Sequence, residues 1–259
     1  MMISLVSIAQ DEDIGSIATD RPIQSETPTV VPKRYLQFEQ GVYFERGIGI
    51  GTPYSGISRN DQLNFNLLFK YGVIKNLEFR FNFDYLHNDY FLSDEHEQGI
   101  GGVSGPNIGF KYSFLRDEED SWKPNLTLSA HSQFDWWGRE EYKPENANIS
   151  FRATAGKNFT ENWHGIVGYG INFEDGNGDA TGNFYVLQTG YTFAGKLTAI
   201  VEYYGLNNSE MEVDDKALNG ALVYLLNDKH QIDISFGKGL SDTWYDNYYA
   251  IGYSFRFNP

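Results

Sequence analysis

The sequence NYYAIGYSFRFNP, residues 247–259, alternates two kinds of side chain. Large apolar residues form one row, and small or polar residues form the other: Tyr249, Ile251, Tyr253, Phe255 and Phe257, against Ala250, Gly252, Ser254 and Arg256. A period of two predicts a β-strand with unlike faces. In a soluble sandwich the aromatic row needs a second sheet over it. In a membrane barrel lipid covers that row, and the polar row faces the lumen.

Eleven further stretches show the same alternation, and the clearest is Leu77–Tyr85. The eleven are residues 35–45, 62–71, 77–85, 106–114, 125–134, 148–156, 163–173, 183–193, 197–205, 217–226 and 231–238. The total of twelve is even, as in closed antiparallel outer-membrane barrels. Charged residues at every second position suit a wet or ion-paired lumen better than a dry core.

The connections between these stretches alternate in length. Tight turns at Asn76, 159–162, 194–196 and 227–229 are separated by wider links such as 47–61 and 86–105. Short turns at one rim and long loops at the other are typical of outer-membrane barrels, with the short side periplasmic. The sequence therefore predicts an all-β fold, a transmembrane antiparallel up-and-down β-barrel of about 12 strands with both termini periplasmic.

Composition excludes several classes of protein. The chain of 259 residues has a formal net charge of −15, a pI near 4.7 and no cysteine. It therefore lacks a disulfide framework, and it lacks the basic surface that nucleic acid requires. The sequence has no run of about 18 apolar residues, so it predicts no transmembrane helix. The mean hydropathy of −0.47 does not exclude a barrel, because only alternate strand residues contact lipid.

The first part of the chain lacks this alternation. A short apolar run ending in Ser7-Ile8-Ala9 predicts that residues 1–9 are the remnant of a signal peptide, the alternative being a disordered tail. Residues 10–33 are polar and rich in turn formers, which predicts an unstructured segment in the lumen or the periplasm. The barrel is expected over residues 34–259.

Parity assigns thirteen charged or histidine side chains to the lumen. These candidate lumen-lining and selectivity residues are Glu39, Glu45, Lys70, Glu78, Arg80, Asp84, Lys111, His131, Arg152, His164, Glu202, Asp233 and Arg256. Mixed signs predict cross-strand ion pairs. Such pairs can simply fill and stiffen a narrow barrel, or they can line a solute path and set its selectivity. Both interpretations stay open at this stage.

No catalytic, metal or cofactor site is predicted. Ser132 neighbours His131, but adjacent strand residues point to opposite faces and cannot form a nucleophile–base pair. The stretch Asp175–Asp179 imitates the start of a calcium loop, yet Ala180 and Val186 stand where that motif needs Gly and Glu. We therefore expect a protein that is not an enzyme.

Several stretches resemble a known family. ATDRPIQSETPTVVPKRYLQFEQG (18–41), LLFKYGVIKNLEFRFNFDY (67–85), VEYYG (201–205) and the closing blocks 219–242 and 249–257 are similar to the transporters of the "MetA-pathway of phenol degradation" family, in the form common in the Bacteroidota. Arg34 stands where the family pattern has Gly. The resemblance implies a barrel in the outer membrane of a Gram-negative bacterium and a transport role.

Two functions follow as expectations. The first is a passive or gated channel for a small solute, which the resemblance suggests is apolar or aromatic. The second is a non-conducting barrel that serves as a structural or assembly partner of other envelope proteins. The expected partners are outer-membrane lipid, a small solute and possible envelope proteins.

Overall fold

The computed structural model describes residues 14–47, 59–92, 95–116, 122–173, 182–208, 213–241 and 245–259. These residues form thirteen β-strands and one short 3-10 helix, Glu140–Tyr142. The strands are β1 Leu36–Gly47, β2 Arg59–Ile74, β3 Leu77–Leu92, β4 Glu95–Val103, β5 Asn107–Leu115, β6 Asn125–Gln133, β7 Asn148–Asn158, β8 Trp163–Phe173, β9 Gly182–Phe193, β10 Leu197–Asn208, β11 Val213–Asn227, β12 His230–Gly239 and β13 Tyr245–Phe257.

The strands close into an antiparallel barrel with twelve positions. Strand β1 pairs with both β13 and β2, and β2 pairs with β3, which completes the ring. Strands β4 and β5 share one position, because β4 pairs with Tyr85–Leu92 of β3 and β5 with Leu77–Asn82. The prediction of a closed twelve-stranded barrel is confirmed.

The predicted wide link over residues 86–105 is wrong. Strand β3 continues to Leu92 and β4 begins at Glu95, so the two form a hairpin that extends the barrel wall. Sequence alternation fails here because His87 and Asp89 occupy the outer row where lower positions carry phenylalanine. Tyr142 and Arg139, from the β6–β7 connection, bond to the backbone of β4 at Ile100 and Val103.

The outer surface is apolar along the strands, as the alternation predicts. On β13, Tyr249 is 56% exposed and Ile251 is 62% exposed, while Ser254 on the other face is fully buried. Other strands present the same kind of row: Phe65, Phe110, Phe151, Val167, Leu187, Val201, Leu218, Leu222, Ile234 and Phe236 are all exposed. No helix in the described part of the chain has the length and apolarity to cross a membrane.

The two rims differ. At one rim the described connections are short, with two residues between β2 and β3, four between β7 and β8, three between β9 and β10 and two between β11 and β12. The start of β1 and the end of β13 meet at this rim, where Leu36 pairs with Phe257. In outer-membrane barrels the short-turn rim faces the periplasm.

Residues 14–35, hereafter the inner segment, lie inside the barrel without regular strands. The inner segment enters at the short-turn rim, where Ile17 N donates to Asp228 O at 2.8 Å. It leaves at the same rim, where Lys33 bridges to Gly72 and Arg34 N donates to Gly72 O at 2.7 Å. Arg34 has φ 68°, a left-handed conformation that glycine adopts without strain.

Candidate functional site in the barrel lumen

Asp20 of the inner segment is the centre of a cluster of buried charges. Its carboxylate lies 2.7 Å from Lys70 Nζ and 3.4 Å from Lys111 Nζ, and it also pairs with Arg80. The three cations come from β2, β5 and β3, where each occupies an inward position. Asp20 Oδ1 also accepts from the backbone amide of Thr27 at 2.7 Å. The Asp20 carboxylate therefore connects three strands of the wall, and it also closes a turn of the inner segment that runs from Asp20 to Thr27.

Glu26 extends the cluster across the lumen. Its Oε2 lies 3.1 Å from Arg80 Nη1 and 3.4 Å from Lys111 Nζ, and its Oε1 lies 3.7 Å from Nε2 of His131. Glu26 is 7% exposed, so its charge is removed from water and depends on these partners. The same two cations are thus shared between Glu26 and Asp20.

The pKa values of the two segment carboxyls reflect this setting. Burial by itself raises the pKa of Asp20, but the charges of Arg80, Lys111 and Lys70 outweigh burial and hold that pKa well below its ordinary value. Burial likewise raises the pKa of Glu26, and Arg80, Lys111 and His131 together bring it below the ordinary range. Both carboxyls therefore stay ionised at neutral pH.

Barrel carboxylates hold the backbone of the inner segment. Glu39 accepts from the amides of Asp20 and Arg21 at 2.9 and 3.2 Å. Glu202 accepts from Gln24 and Ser25 at 2.9 and 2.8 Å. Glu78 accepts from Val31 at 2.7 Å. These five bonds attach the backbone of the inner segment to three separate strands, β1, β10 and β3.

Arg21 packs against the wall where β1 meets β13. Its Nη2 donates to Asp233 Oδ1 at 3.2 Å. A Cβ added at Gly41 or Gly252 would lie 2.2 Å from the Arg21 guanidinium, so a larger residue at either position would force the guanidinium to move. The carbonyl of Pro22, the next residue, accepts from Ser235 and Tyr248 at 3.1 Å.

The inner segment divides the lumen into separate cavities. A cavity of about 300 Å³, hereafter the outer vestibule, lies on the long-loop side. Its lining includes Asp20, Glu26, Glu45, Arg152 and Tyr248. Two further cavities, of about 590 and 260 Å³, lie toward the short-turn rim and are lined by other parts of the same segment. Any solute that crosses the barrel must displace the inner segment or pass beside it.

Apolar side chains occupy the part of the lumen next to the outer vestibule. Phe184, Val186, Tyr204, Ala217 and Tyr248 form a buried inward cluster on β9, β10, β11 and β13. Parity assigns inward positions to these residues, but the sequence analysis looked for charge there and missed the cluster. An aromatic residue at an inward position is the signal that could have revealed it.

The thirteen predicted lumen residues all lie on the inner side of the barrel wall. Eight of them contact the inner segment by a hydrogen bond or ion pair: Glu39, Lys70, Glu78, Arg80, Lys111, Glu202, Asp233 and Arg256, the last through Gly15 O at 2.6 Å. His131 approaches Glu26, whereas His164 contacts Gln188 at 3.0 Å and Asp84 contacts Asn66 and Asn82.

The expected cross-strand pairing is only part of what the structure shows. Lys70 pairs with Glu39 of the neighbouring strand at 2.5 Å. Most other lumen charges find their partners on the inner segment. Arg80, Lys111 and Asp233 bind its charged side chains, Asp20, Arg21 and Glu26. Those three residues were not among the candidates, because a segment without periodicity gives no face assignment. Their charges, complementary to the lumen, were the available signal.

Two predicted residues differ from the rest. The side chains of Glu45 and Arg152 make no hydrogen bond or ion pair within the described part of the chain, and both line the outer vestibule. Nε of Arg152 is buried without a partner, while its guanidinium lies 4.3 Å from the ring centroid of Phe184.

The fold and lumen define an outer-membrane β-barrel of the porin-like class, with a narrow interior occupied by its own N-terminal residues. A family model described as putative MetA-pathway of phenol degradation matches residues 19–257, and the chain belongs to that family. A search of curated proteins found no significant sequence match.

Solved structures share the fold at low sequence identity. An outer membrane channel from Pseudomonas putida F1 is 10% identical with a TM-score of 0.73, covering 91% of this chain and 100% of its own. A KdgM porin in complex with disordered oligogalacturonate is 12% identical with a TM-score of 0.58, covering 86% and 99%. The NanC porin is 12% identical with a TM-score of 0.52, covering 85% and 98%. The likeness concerns the barrel alone; an origin in the Bacteroidota stays a prediction.

Proposed function

We propose that this protein is an outer-membrane channel for small solutes, closed by the inner segment and opened when that segment moves. The observation that carries the proposal is the cluster in which Asp20 and Glu26 bind Lys70, Arg80 and Lys111 across the lumen. The thirteen lumen candidates then act in two ways: most hold the closed state, and those facing the outer vestibule select the solute.

The cluster suits a gate because its strength depends on one mobile partner. The three cations belong to barrel strands, which stay paired to their neighbours. The inner segment has one bridge to the wall, at Lys33 and Gly72, and is otherwise held by side-chain and backbone contacts. Its release would expose ionic groups that water can solvate and would leave the hydrogen bonds between barrel strands intact.

The solute is small. A vestibule of about 300 Å³ is at the lower end of the range for ligand sites. The family description refers to phenol degradation, which supports an aromatic solute. The buried rings of Tyr248 and Phe184 beside the vestibule are consistent with that solute class.

A second function is supported by the same closure. A lumen filled by ion-paired residues suits a non-conducting barrel that serves as a structural partner in an envelope complex. In that case the inner segment is a permanent part of the core, and the charge cluster contributes rigidity. Residues 1–9, predicted as a signal-peptide remnant, lie outside the described residues and do not distinguish the two functions.

Conductance measurements separate these functions. We would record currents in planar lipid bilayers for the full chain and for the double variant Asp20→Asn/Glu26→Gln, which keeps side-chain size and removes both segment charges. Asp214→Asn is the matched control, because Asp214 pairs with Lys216 at 2.6 Å on the exposed surface. The channel function requires larger or longer openings in the double variant and unchanged currents in the control. No current in any form refutes it and supports the structural role.

A further inference from the structure

The outer vestibule contains two ionisable side chains, one acidic and one basic, that have no hydrogen-bonded or ion-pair partner in the described part of the chain. Glu45 on β1 and Arg152 on β7 make no hydrogen bond or ion pair with any described residue. The other inward charges of the cluster are engaged: Asp20, Glu26, Glu39, Lys70, Arg80, Lys111, Arg21 and Asp233 all have partners.

Glu45 and Arg152 lie on distant walls of one cavity. In the ring of twelve positions, β1 and β7 are five positions apart, so their inward side chains approach the vestibule from nearly opposite sides. Each wall carries polar groups suited to its charge. Asn66 and Asn82 line the vestibule on the side of Glu45, whereas His131 and Ser150 line it near Arg152.

An aromatic contact positions Arg152, and no carboxylate of the described chain forms an ion pair with it. Its guanidinium lies 4.3 Å from the ring centroid of Phe184, a cation–π contact that fixes its direction. Glu26 of the inner segment also lines the vestibule, but it is paired with Arg80 and Lys111. A buried Nε without an acceptor is costly unless a ligand or water supplies one.

We propose that the outer vestibule binds an amphoteric small molecule, whose carboxylate pairs with Arg152 and whose ammonium group pairs with Glu45. A lone anion would satisfy one wall and leave Glu45 unpaired, and a lone cation would do the reverse. A molecule with both charges compensates both side chains, which favours it over either singly charged analogue. This inference rests on the proposed channel function, to which it adds the two charged groups that the small solute carries.

The test uses purified full-length protein in detergent and isothermal titration calorimetry. The probes are 6-aminohexanoate, hexanoate and hexylamine, which share one aliphatic chain and differ in their charged ends. A flexible chain lets both ends adjust to the spacing between the two walls. We expect 6-aminohexanoate to bind at least about tenfold more tightly than either analogue, as the second charge pair requires.

Two variants identify which side chain binds each end of the probe, and a third serves as the control. Glu45→Gln should weaken 6-aminohexanoate binding about tenfold and leave hexanoate binding unchanged, and Arg152→Gln should weaken 6-aminohexanoate and hexanoate while leaving hexylamine unchanged. Glu161→Gln is the control, because Glu161 is exposed in the turn between β7 and β8 at the opposite rim. It should change nothing.

Equal affinity for the three probes, absence of binding, or indifference to both lumen variants would each overturn the inference. Calorimetry requires no current, so the result is independent of the bilayer experiment. Binding of the amphoteric probe by a barrel that never conducts would refute the channel and retain the site. Conductance without selective binding would do the opposite.

Discussion

Substitution of Asp20 by Asn should loosen the inner segment while leaving the barrel folded. The change removes one negative charge among Lys70, Arg80 and Lys111 and keeps an oxygen that can accept from the Thr27 amide. Loss of one partner from a buried ion pair costs about 3–5 kcal/mol. Each cation keeps a second acid, Glu39 or Glu26, so the lower end applies.

A cost of about 3 kcal/mol raises the fraction of molecules with a released segment roughly a hundredfold, since about 1.4 kcal/mol corresponds to a factor of ten. Native-state hydrogen exchange measures that fraction. The informative amides are those of Gln24, Ser25 and Val31, because they bond to Glu202 and Glu78 and not to Asp20. Their exchange should accelerate about a hundredfold if the segment moves as one unit.

The control is Asp214→Asn, the same chemical change at an exposed pair whose side chains are 56% and 38% accessible. Surface pairs contribute at most about 1 kcal/mol, and this one lies outside the lumen cluster. Exchange of the three amides should stay within about twofold of the unmodified protein. If Asp20→Asn gives the same small change, the charge cluster does not hold the segment and the reasoning is refuted.

Three further predictions concern the segment and the wall. Gly72→Ala should expose the end of the segment to protease, because its Cβ would lie 2.1 Å from the Pro32 carbonyl oxygen; resistance equal to the unmodified protein would contradict this close contact. Phe236 faces the lipid and is 63% exposed, so Phe236→Arg should lower the free energy of unfolding by about 2–4 kcal/mol. Phe159→Arg, in a turn at the rim, should lower it by only about 0–1 kcal/mol. Equal losses for the two variants in a folding titration with lipid vesicles would contradict the membrane placement. Because the pKa of Asp20 is lowered in the closed state, its stabilisation is complete above the ordinary carboxyl range and is lost only as pH falls through the lowered value. Asp20→Asn should therefore accelerate exchange of the Gln24, Ser25 and Val31 amides by the same factor at about pH 7 and at about pH 5, and a factor that shrinks over that window would contradict this reasoning.

The sequence was sufficient for the membrane-spanning wall. Lipid imposes a strict requirement on every second residue, so strands such as β13 and β12 carry a period that a single sequence displays. Beyond the lipid the requirement ends. The β3–β4 hairpin therefore has Asp89 and His87 on its outer row and no alternation that could predict it.

The inner segment could not be placed from the sequence, for a different physical reason. Its conformation is set by long-range partners such as Glu202 and Glu39, more than by any local propensity. The thirteen lumen candidates were found by parity, but parity does not say which of them have partners. Coordinates were needed to show which candidates face the outer vestibule without an ion-pair or hydrogen-bonded partner. Among the predicted candidates in the described part of the chain, these are Glu45 and Arg152.

The inner segment enters and leaves through the same rim, at Asp228 and at Gly72, and this path has a mechanical consequence. Because the inner segment only loops into the lumen, it can leave through the short-turn rim without any part of the chain passing through the whole barrel. A pull applied on the periplasmic side, before Ile14, would break the bonds to Arg256, Asp228 and then Asp20's partners one after another. Contacts that break one after another resist a force less than the same contacts sheared together, so this path favours release by a pull from the periplasmic side.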